Sequence, residues 1–522
     1  RTPETVARLL RARGRLQRFL DHRQIGALRI VILAEEVDAA RRLELREYLE
    51  GDWSESQVFL RSGSSLQPSH LERADVARAS VVLIPGADFT HGGAELNDTR
   101  VVKALLTVEA MLKASGRATR PHIVAEIFDA LKVPLARSCV DGPLEVIASD
   151  QIISRLIYQN VRHPAVVRVL LDLFTHRQGN SIYLRAFPEL AGRSIRALAG
   201  AFPDAVVLGL LRGSGPERRV HLDPTCDVVV EAEDLLVLLG ETYERCRPTG
   251  DVPPVGTVMP PPVMLPPATD DAGHRLLVLG WSHKLGPLLG ELDALDTGRF
   301  EVTVMSKVGV AERDLDAARL RPASRVTVHH VRGDYASAAA LRAVDPSTFD
   351  SVVFLASGWM RSSEEADART ILGYLTLDAM LAGSPRPPQI LVELLDPDNG
   401  PLLAETENAV LVSPRILSHL LAHVALRPEL HPVLDALLGA GGTELGSRVA
   451  ADLELVGRTV TFADIQVAAS ARACVAIGLM TGAPRAIHVN PARDRRWTIG
   501  AGDTVIVLEL CAGARAAPIA TR

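Results

Sequence analysis

The sequence is short of the features that mark several large classes of protein. Its five cysteines are scattered, without a CxxC pair and without a histidine at metal-ligand spacing, so a reducing compartment and no zinc site are indicated. No run of about eighteen uninterrupted apolar residues occurs, and the first residues show no signal-peptide pattern. We therefore predict no membrane span within the 522 residues as given.

Basic charge is also missing. The net charge of −6 gives no positive field of the kind that dominates nucleic-acid binding, so DNA and RNA are not expected partners. Hydrophobic residues make up 47% and charged residues 23% of the chain, close to the globular average. A mean hydropathy of +0.14 is high for a soluble protein and would suit subunit interfaces.

Motifs of catalysis are absent as well. The sequence has no GxSxG, no Walker lysine behind a glycine-rich loop and no HExxH. The histidines His283, His329 and His330 have no acid partner at a recognisable spacing. The sequence therefore predicts a protein that is not an enzyme.

What the chain does contain is an internal repeat. The segment DTRVVKALLTVEAML opens at Asp98, and DARTILGYLTLDAML opens at Asp367. The match extends outward in both directions, with VVLIPGAD facing VVFLASGW, DQIISRL facing PRILSHL, and EDLLVLL facing GDTVIVL. Two copies of one unit fill the chain.

Each copy has two lobes. The first lobe alternates short aliphatic or β-branched runs with segments of helical period, which is typical of a parallel sheet in an α/β fold. The second lobe has short alternating strands and a closing strand, which predicts a small α+β module. We thus predict two tandem Rossmann-like lobes, each followed by a small α+β lobe, with these bounds: lobes at 1–160 and 161–245, a Pro-rich linker at 246–273, lobes at 274–425 and 426–512, and a tail at 513–522.

The second copy has an incomplete nucleotide motif. A dinucleotide site needs GxGxxG after its first strand, and here the three positions hold Gly280, Ser282 and Leu285. A ligand would still lie at the carboxyl ends of the strands, so the candidate binding residues are Gly280, Ser282, Ser306, Gly333 and Asp334. The alternative is a degenerate cleft that is kept as a scaffold.

The first copy offers a slightly better set for an adenine nucleotide. Glu35 supplies an acid after a predicted strand, and Arg61, Ser62 and Gly63 supply a cation and a flexible backbone. The opening residues align with the helix that follows GWS in the second copy. We therefore expect the first strand of this copy to lie upstream of residue 1.

Carboxylates recur at the ends of the fifth strand of each copy. They are Glu126, Asp129, Glu393, Asp396 and Asp398. Grouped carboxylates are ligands that Ca²⁺ prefers, which makes these five candidate metal ligands. Capping or solvated roles are the alternative for the same residues.

The order of these lobes, twice over, resembles the paired domains that regulate potassium conductance. The GWS turn, together with RSGSSL followed by LERADVARASVVLI, is similar to the Castor and Pollux family of ion channels. The resemblance implies the cytosolic, ligand-sensing gating-ring region of a potassium or calcium channel, in a tetrameric ring below a pore that precedes it in the same chain. It also raises the expectation of a calcium response.

Two other functions are compatible with the same lobes. One is a detached regulatory subunit of Trk-type potassium uptake, and the other is an NAD(P)-dependent oxidoreductase. The helices predicted in DQIISRLIYQNV and PRILSHLLAHVA each have an apolar face. The resemblance implies that they pack against a neighbouring subunit, whereas the periodicity alone is equally compatible with an intrachain core.

Overall fold

The described part of the structure extends over most of the chain. The structure is a computed structural model that describes residues 2–510, apart from these positions: 11–27, 50, 52, 87–92, 176–178, 214–217, 223–226, 256, 258–261, 264–272, 295–297, 312, 314–319, 321–323, 361, 404–405, 407, 440–441 and 483–484. The predicted tail and much of the predicted Pro-rich linker lie outside the described residues.

Six parallel strands form the sheet of the second Rossmann-like lobe, in the order β12-β11-β10-β13-β14-β15. Its strands are β10 His274–Leu279, β11 Phe300–Ser306, β12 Val326–Arg332, β13 Ser351–Phe354, β14 Gln389–Leu394 and β15 Ala409–Val412. Its described helices are α8 Leu285–Asp293, α9 Ala338–Val344 and α10 Ser363–Leu381. The central strands are almost continuously apolar because helices cover both faces of the sheet.

The first Rossmann-like lobe has counterparts of five of these six strands among its described residues. They form two sheets, a parallel pair β1-β2 and a parallel trio β3-β4-β5. The strands are β1 Ile30–Ala34, β2 Val58–Ser62, β3 Val81–Ile84, β4 His122–Ile127 and β5 Leu144–Ala148. The helices are α1 at 2–10, α2 Ala39–Leu49, α3 Pro68–Arg73, α4 Gly93–Ser115 and α5 Val133–Ser138.

The two small lobes repeat one antiparallel arrangement. The sheet orders are β6-β9-β7-β8 and β16-β21-β18-β19, so the closing strand lies inside the sheet in both. In the first of these lobes the strands are β6 Ser181–Ala186, β7 Ala205–Arg212, β8 Arg219–His221 and β9 Leu235–Gly240. In the second they are β16 Thr443–Val449, β18 Val475–Gly482, β19 Arg485–Val489 and β21 Thr504–Leu510, with a separate pair β17 Thr459–Thr461 and β20 Arg496–Thr498 and the helix α13 Phe462–Ser470. These lobes and the parallel sheets confirm the predicted fold class.

Four further helices connect the lobes. They are α6 Ser149–Arg162, α7 Pro164–Thr175, α11 Ser413–Leu426 and α12 Leu430–Leu438. None of the helices in the described part of the chain is both long enough and apolar enough to cross a membrane.

The helices α6 and α11 are exchanged between the two copies. Helix α6 follows the last strand of the first sheet, yet it packs against α8 and α12 of the second copy. Helix α11 follows the last strand of the second sheet and packs against β3, β4 and α7 of the first copy. We call the region where these helices cross the inter-unit seam. One hydrophobic core runs through it from Val124 to Leu508.

Polar contacts reinforce the seam. Arg155 on α6 donates to Glu291 at 2.8 Å and also contacts Asp435 on α12. Further along α6, Arg162 donates to Glu444 of the second small lobe at 3.2 Å. These ion pairs fix the rotation of α6 about its own axis, because each one reaches a different element of the second copy. Of the two expectations for these helices, packing within the chain is the one that the structure shows.

We expect Ile153→Asp to destabilise the whole chain. Ile153 is 0% exposed and belongs to the core that both copies share, so a carboxylate there would be buried without a partner. The free energy of unfolding should fall by at least about 4 kcal/mol in urea titrations. The control is Val467→Asp at a helix position that is 71% exposed, which should change it by less than about 0.5 kcal/mol. Equal effects of the two changes would contradict the seam.

Candidate functional site

The cleft of the second copy begins at the turn after β10. Gly280 has φ +109, and a Cβ placed on it would lie 2.1 Å from the carbonyl oxygen of Leu355. Its N–H donates to the Met305 carbonyl at 2.9 Å. Glycine is required here because the turn passes directly over β13, and this requirement is independent of any ligand.

The second position of the motif is filled by the chain itself. Ser282 is 2% exposed, and its Cβ would lie 3.4 Å from a Cβ on Gly358. The Gly358 N–H donates to the Trp281 carbonyl at 3.2 Å, which joins the two loops. A pyrophosphate approaches the backbone at this point in dinucleotide sites. The residues present therefore do not fit a dinucleotide in the usual pose.

A buried ion pair lies behind this turn. Lys284 Nζ is 2.6 Å from Glu393 Oε1, and the two side chains are 4% and 0% exposed. Glu393 also accepts from the Ser413 hydroxyl at 2.5 Å and from the Ala356 N–H at 3.0 Å. Glu393 was a predicted metal ligand, and here its partners are groups of the chain.

The outer part of this cleft is polar. Ser306 is buried, and its carbonyl accepts from the Gly333 N–H at 3.1 Å. Asp334 lies 2.6 Å from Lys307 and 2.5 Å from Arg369. Burial raises the pKa of the Asp334 carboxyl, but hydrogen bonds from Lys307 and the Ala336 N–H and the charge of Arg369 outweigh it, so the pKa lies below its usual value. Asp334 is therefore ionised and forms ion pairs with Lys307 and Arg369.

The structure brings together the four residues predicted for the first copy. Ala34 pairs with Ser62 in the register of β1 and β2, so Glu35 and Gly63 follow at the same edge of the sheet. The Gly63 N–H donates to the Ala34 carbonyl at 2.8 Å. Glu35, Arg61 and Ser62 are exposed there. This edge can offer an acid and a cation to a ligand from solvent.

Three of the other predicted metal ligands accept hydrogen bonds from backbone N–H groups. Glu126 accepts from the Gly86 N–H at 2.9 Å, Asp129 accepts from the Leu131 N–H at 3.0 Å, and Asp396 accepts from the Asp398 N–H at 3.0 Å. Among the described residues, no group of three or more His, Cys, Asp or Glu side chains is placed to hold a metal ion. The calcium site stays a prediction.

Two buried aspartates, which are not among the predicted site residues, bind the backbone at the ends of β4 and β14. Asp98 accepts from the N–H groups of Phe128 and Asp129 at 2.8 and 3.1 Å. Asp367 accepts from those of Leu395 and Asp396, both at 2.8 Å. Burial raises the pKa of Asp367. Their shared place in the repeat was the signal that could have revealed them.

Two parallel sheets, each followed by a small antiparallel lobe, define a fold that is known from a gating ring. The human SLO3 gating ring has this fold, with a TM-score of 0.70 at 15% identity over 93% of this chain and 96% of that one. A family model described as "Castor and Pollux, part of voltage-gated ion channel" matches residues 150–256.

Ion channels named CASTOR or POLLUX match most of the chain. It is 24% identical to the probable ion channel POLLUX of Arabidopsis thaliana, over 94% of this chain and 62% of that protein. It is 23% identical to the ion channel CASTOR of Lotus japonicus, over 92% of this chain and 59% of that protein. The resemblance to Castor and Pollux channels is thus confirmed, and the chain spans about three fifths of the length of these relatives.

Gly280 and Gly290 provide a matched test of the turn. Gly280→Ala should destabilise the fold by about 1–3 kcal/mol from backbone strain and a similar amount from overlap with Leu355. Gly290→Ala, in α8 with open space around it, should stabilise it by about 0.5–1 kcal/mol. Thermal unfolding of both variants measures the difference. A neutral Gly280→Ala would show that the turn can relax.

Proposed function

We propose that this chain is the regulatory region of a cation channel, on the cytoplasmic side of a membrane. The observation that carries the proposal is the exchange of α6 and α11. It joins the two copies, each with a cleft that could take a ligand, through one hydrophobic core. The shared fold of a gating ring and the channel relatives support it. The pore that such a region would control is assigned to none of the described helices, since none of them could cross a membrane.

Regulation would act through the seam. A ligand shifts a conformational equilibrium only if it binds the two states with different affinity. The carboxyl ends of β5 and β15 each lead directly into an exchanged helix, α6 and α11 respectively. A ligand that changes the position of either strand end would therefore turn one copy relative to the other.

We assign ligand binding to the cleft of the first copy. Glu35 stands at the end of the strand from which an acidic side chain bonds ribose hydroxyls in nucleotide-binding folds. Arg61 at the neighbouring strand end supplies a cation for a phosphate. An adenine nucleotide is the ligand class that these groups fit.

We also infer that the place between β1 and β3, which no described strand fills, takes a parallel strand. In the second copy, β10 takes this place and pairs with both β11 and β13. Val31 on β1 is 45% exposed, whereas Val302 and Val304 on β11 are fully buried. Such a strand would cover the apolar surface of β1 at this place.

The mass of the chain in solution tests the ring. Light scattering should give about four times the 56.2 kDa of one chain. The mass or the melting temperature should change with millimolar Ca²⁺ or with an adenine nucleotide, because a ligand that binds one state of the ring more tightly stabilises that state. A monomer that is indifferent to all of these would contradict the proposal.

The assignment of the ligand to the first cleft has its own test. Glu35→Gln should weaken ADP binding about tenfold or more in calorimetry, since it removes a charge-assisted hydrogen bond. The neighbouring Glu36→Gln changes the net charge equally and should leave the affinity unchanged. The same loss in both variants would point to a field effect and against a site at Glu35.

A further inference from the structure

The ion pair in the second cleft occupies an unusual position. Lys284 directly precedes α8, and the positive end of a helix dipole disfavours a cation. A buried ammonium also requires a partner that offsets its lost hydration. Glu393 provides that partner at 2.6 Å, so the place of Lys284 depends on this carboxylate.

The carboxylate in turn reaches the helix that crosses to the first copy. Ser413 is the first residue of α11 and donates its hydroxyl to Glu393 at 2.5 Å. The N-terminus of α11 favours a negative charge. The Ala356 N–H satisfies the second oxygen of Glu393 at 3.0 Å. Such complete bonding is the condition under which a buried ion pair is tolerated.

The backbone of Lys284 reaches the other exchanged helix. The buried Ser154 hydroxyl on α6 shares its proton between the Lys284 carbonyl at 2.8 Å and the Asp150 carbonyl of its own helix at 2.7 Å. A continuous path of bonds therefore runs from α6 through Lys284 and Glu393 to α11. It joins both exchanged helices at the centre of the second cleft.

The first copy has the carboxylate without the lysine. Glu126 accepts from the Gly86 N–H just as Glu393 accepts from that of Ala356. The residue that aligns with Lys284 is Thr2. At this place of the repeat the second copy has a lysine where the first has a threonine, and the second copy is also the one in which Ser282 fills the place of a pyrophosphate.

We propose that Lys284 is a positioning residue whose pair with Glu393 closes the second cleft to nucleotides and holds α6 and α11 together there in place of a ligand. The inference deepens the proposed function, because it says which cleft is fixed and what fixes it. The role of the pair can be tested on the purified chain alone. The outcome therefore does not depend on ring assembly or on a pore.

Hydrogen exchange on the purified full chain tests the proposal. In Lys284→Met, amides of 149–162 and 413–426 should exchange about tenfold faster or more, the factor for a loss of about 1.4 kcal/mol in opening free energy. The control is Arg212→Met, which breaks the Arg212–Asp234 pair inside the first small lobe. It should accelerate exchange in β7 and β9 and leave α6 and α11 unchanged. Uniform acceleration throughout the second copy, or none, would overturn the proposal.

A second variant covers the case in which Lys284→Met does not fold. Replacing both partners, as Lys284→Met with Glu393→Met, removes the charges while keeping apolar volume, a change that buried pairs often tolerate. This double variant should regain thermal stability yet keep the faster exchange in α6 and α11. Full recovery of wild-type exchange would mean that the pair only fills space, and would overturn the coupling.

Nucleotides test the closed cleft directly. Millimolar ADP or NAD should leave exchange at 280–285 and 355–359 unchanged in the wild-type chain. Protection of those segments would overturn the closure of the second cleft. Protection confined to 34–36 and 61–63 would agree with it.

Discussion

The structure depends on the exchange of two helices. An α6 that folded back on its own sheet would leave the apolar surface of α8 without cover, and an α11 that did so would leave β3 and β4 exposed. Hydrophobic burial is proportional to the area removed from water, so neither copy reaches its buried state alone. The ion pairs of Arg155 and Arg162 then select one arrangement among those that burial allows.

The duplication survives most clearly in backbone constraints. Asp75 and Asp345 both have φ near +50 before a short 3₁₀ turn. Gly209 and Gly478 both lie at a register shift, where a Cβ would come within 2.0 and 2.4 Å of a carbonyl oxygen on the next strand. Side chains on the surfaces of the two copies have diverged freely, because few residue types satisfy such backbone positions while many satisfy a surface.

The sequence alone was sufficient for the fold class, because alternating and helical apolar periods report burial directly. It could not decide where the faces of α6 and α11 pack, since an apolar face shows that a helix is buried and does not show what covers it. The carboxyl ends of β1 and β2 were placed together correctly because parallel strands share an edge. The Lys284–Glu393 pair had no signal in spacing, so the sequence suggested for Glu393 only a calcium-ligand role or a capping or solvated role. The domain bounds and the site residues remain predictions.

The shared core also says something about the covalent chain. The hydrophobic core that runs through the seam contains no described residue of the segment between Gly240 and His274. A protease cut in that segment would leave two pieces that still interlock by their exchanged helices. The same fold could therefore be built from two separate polypeptides, and a single chain supplies the two copies in equal number.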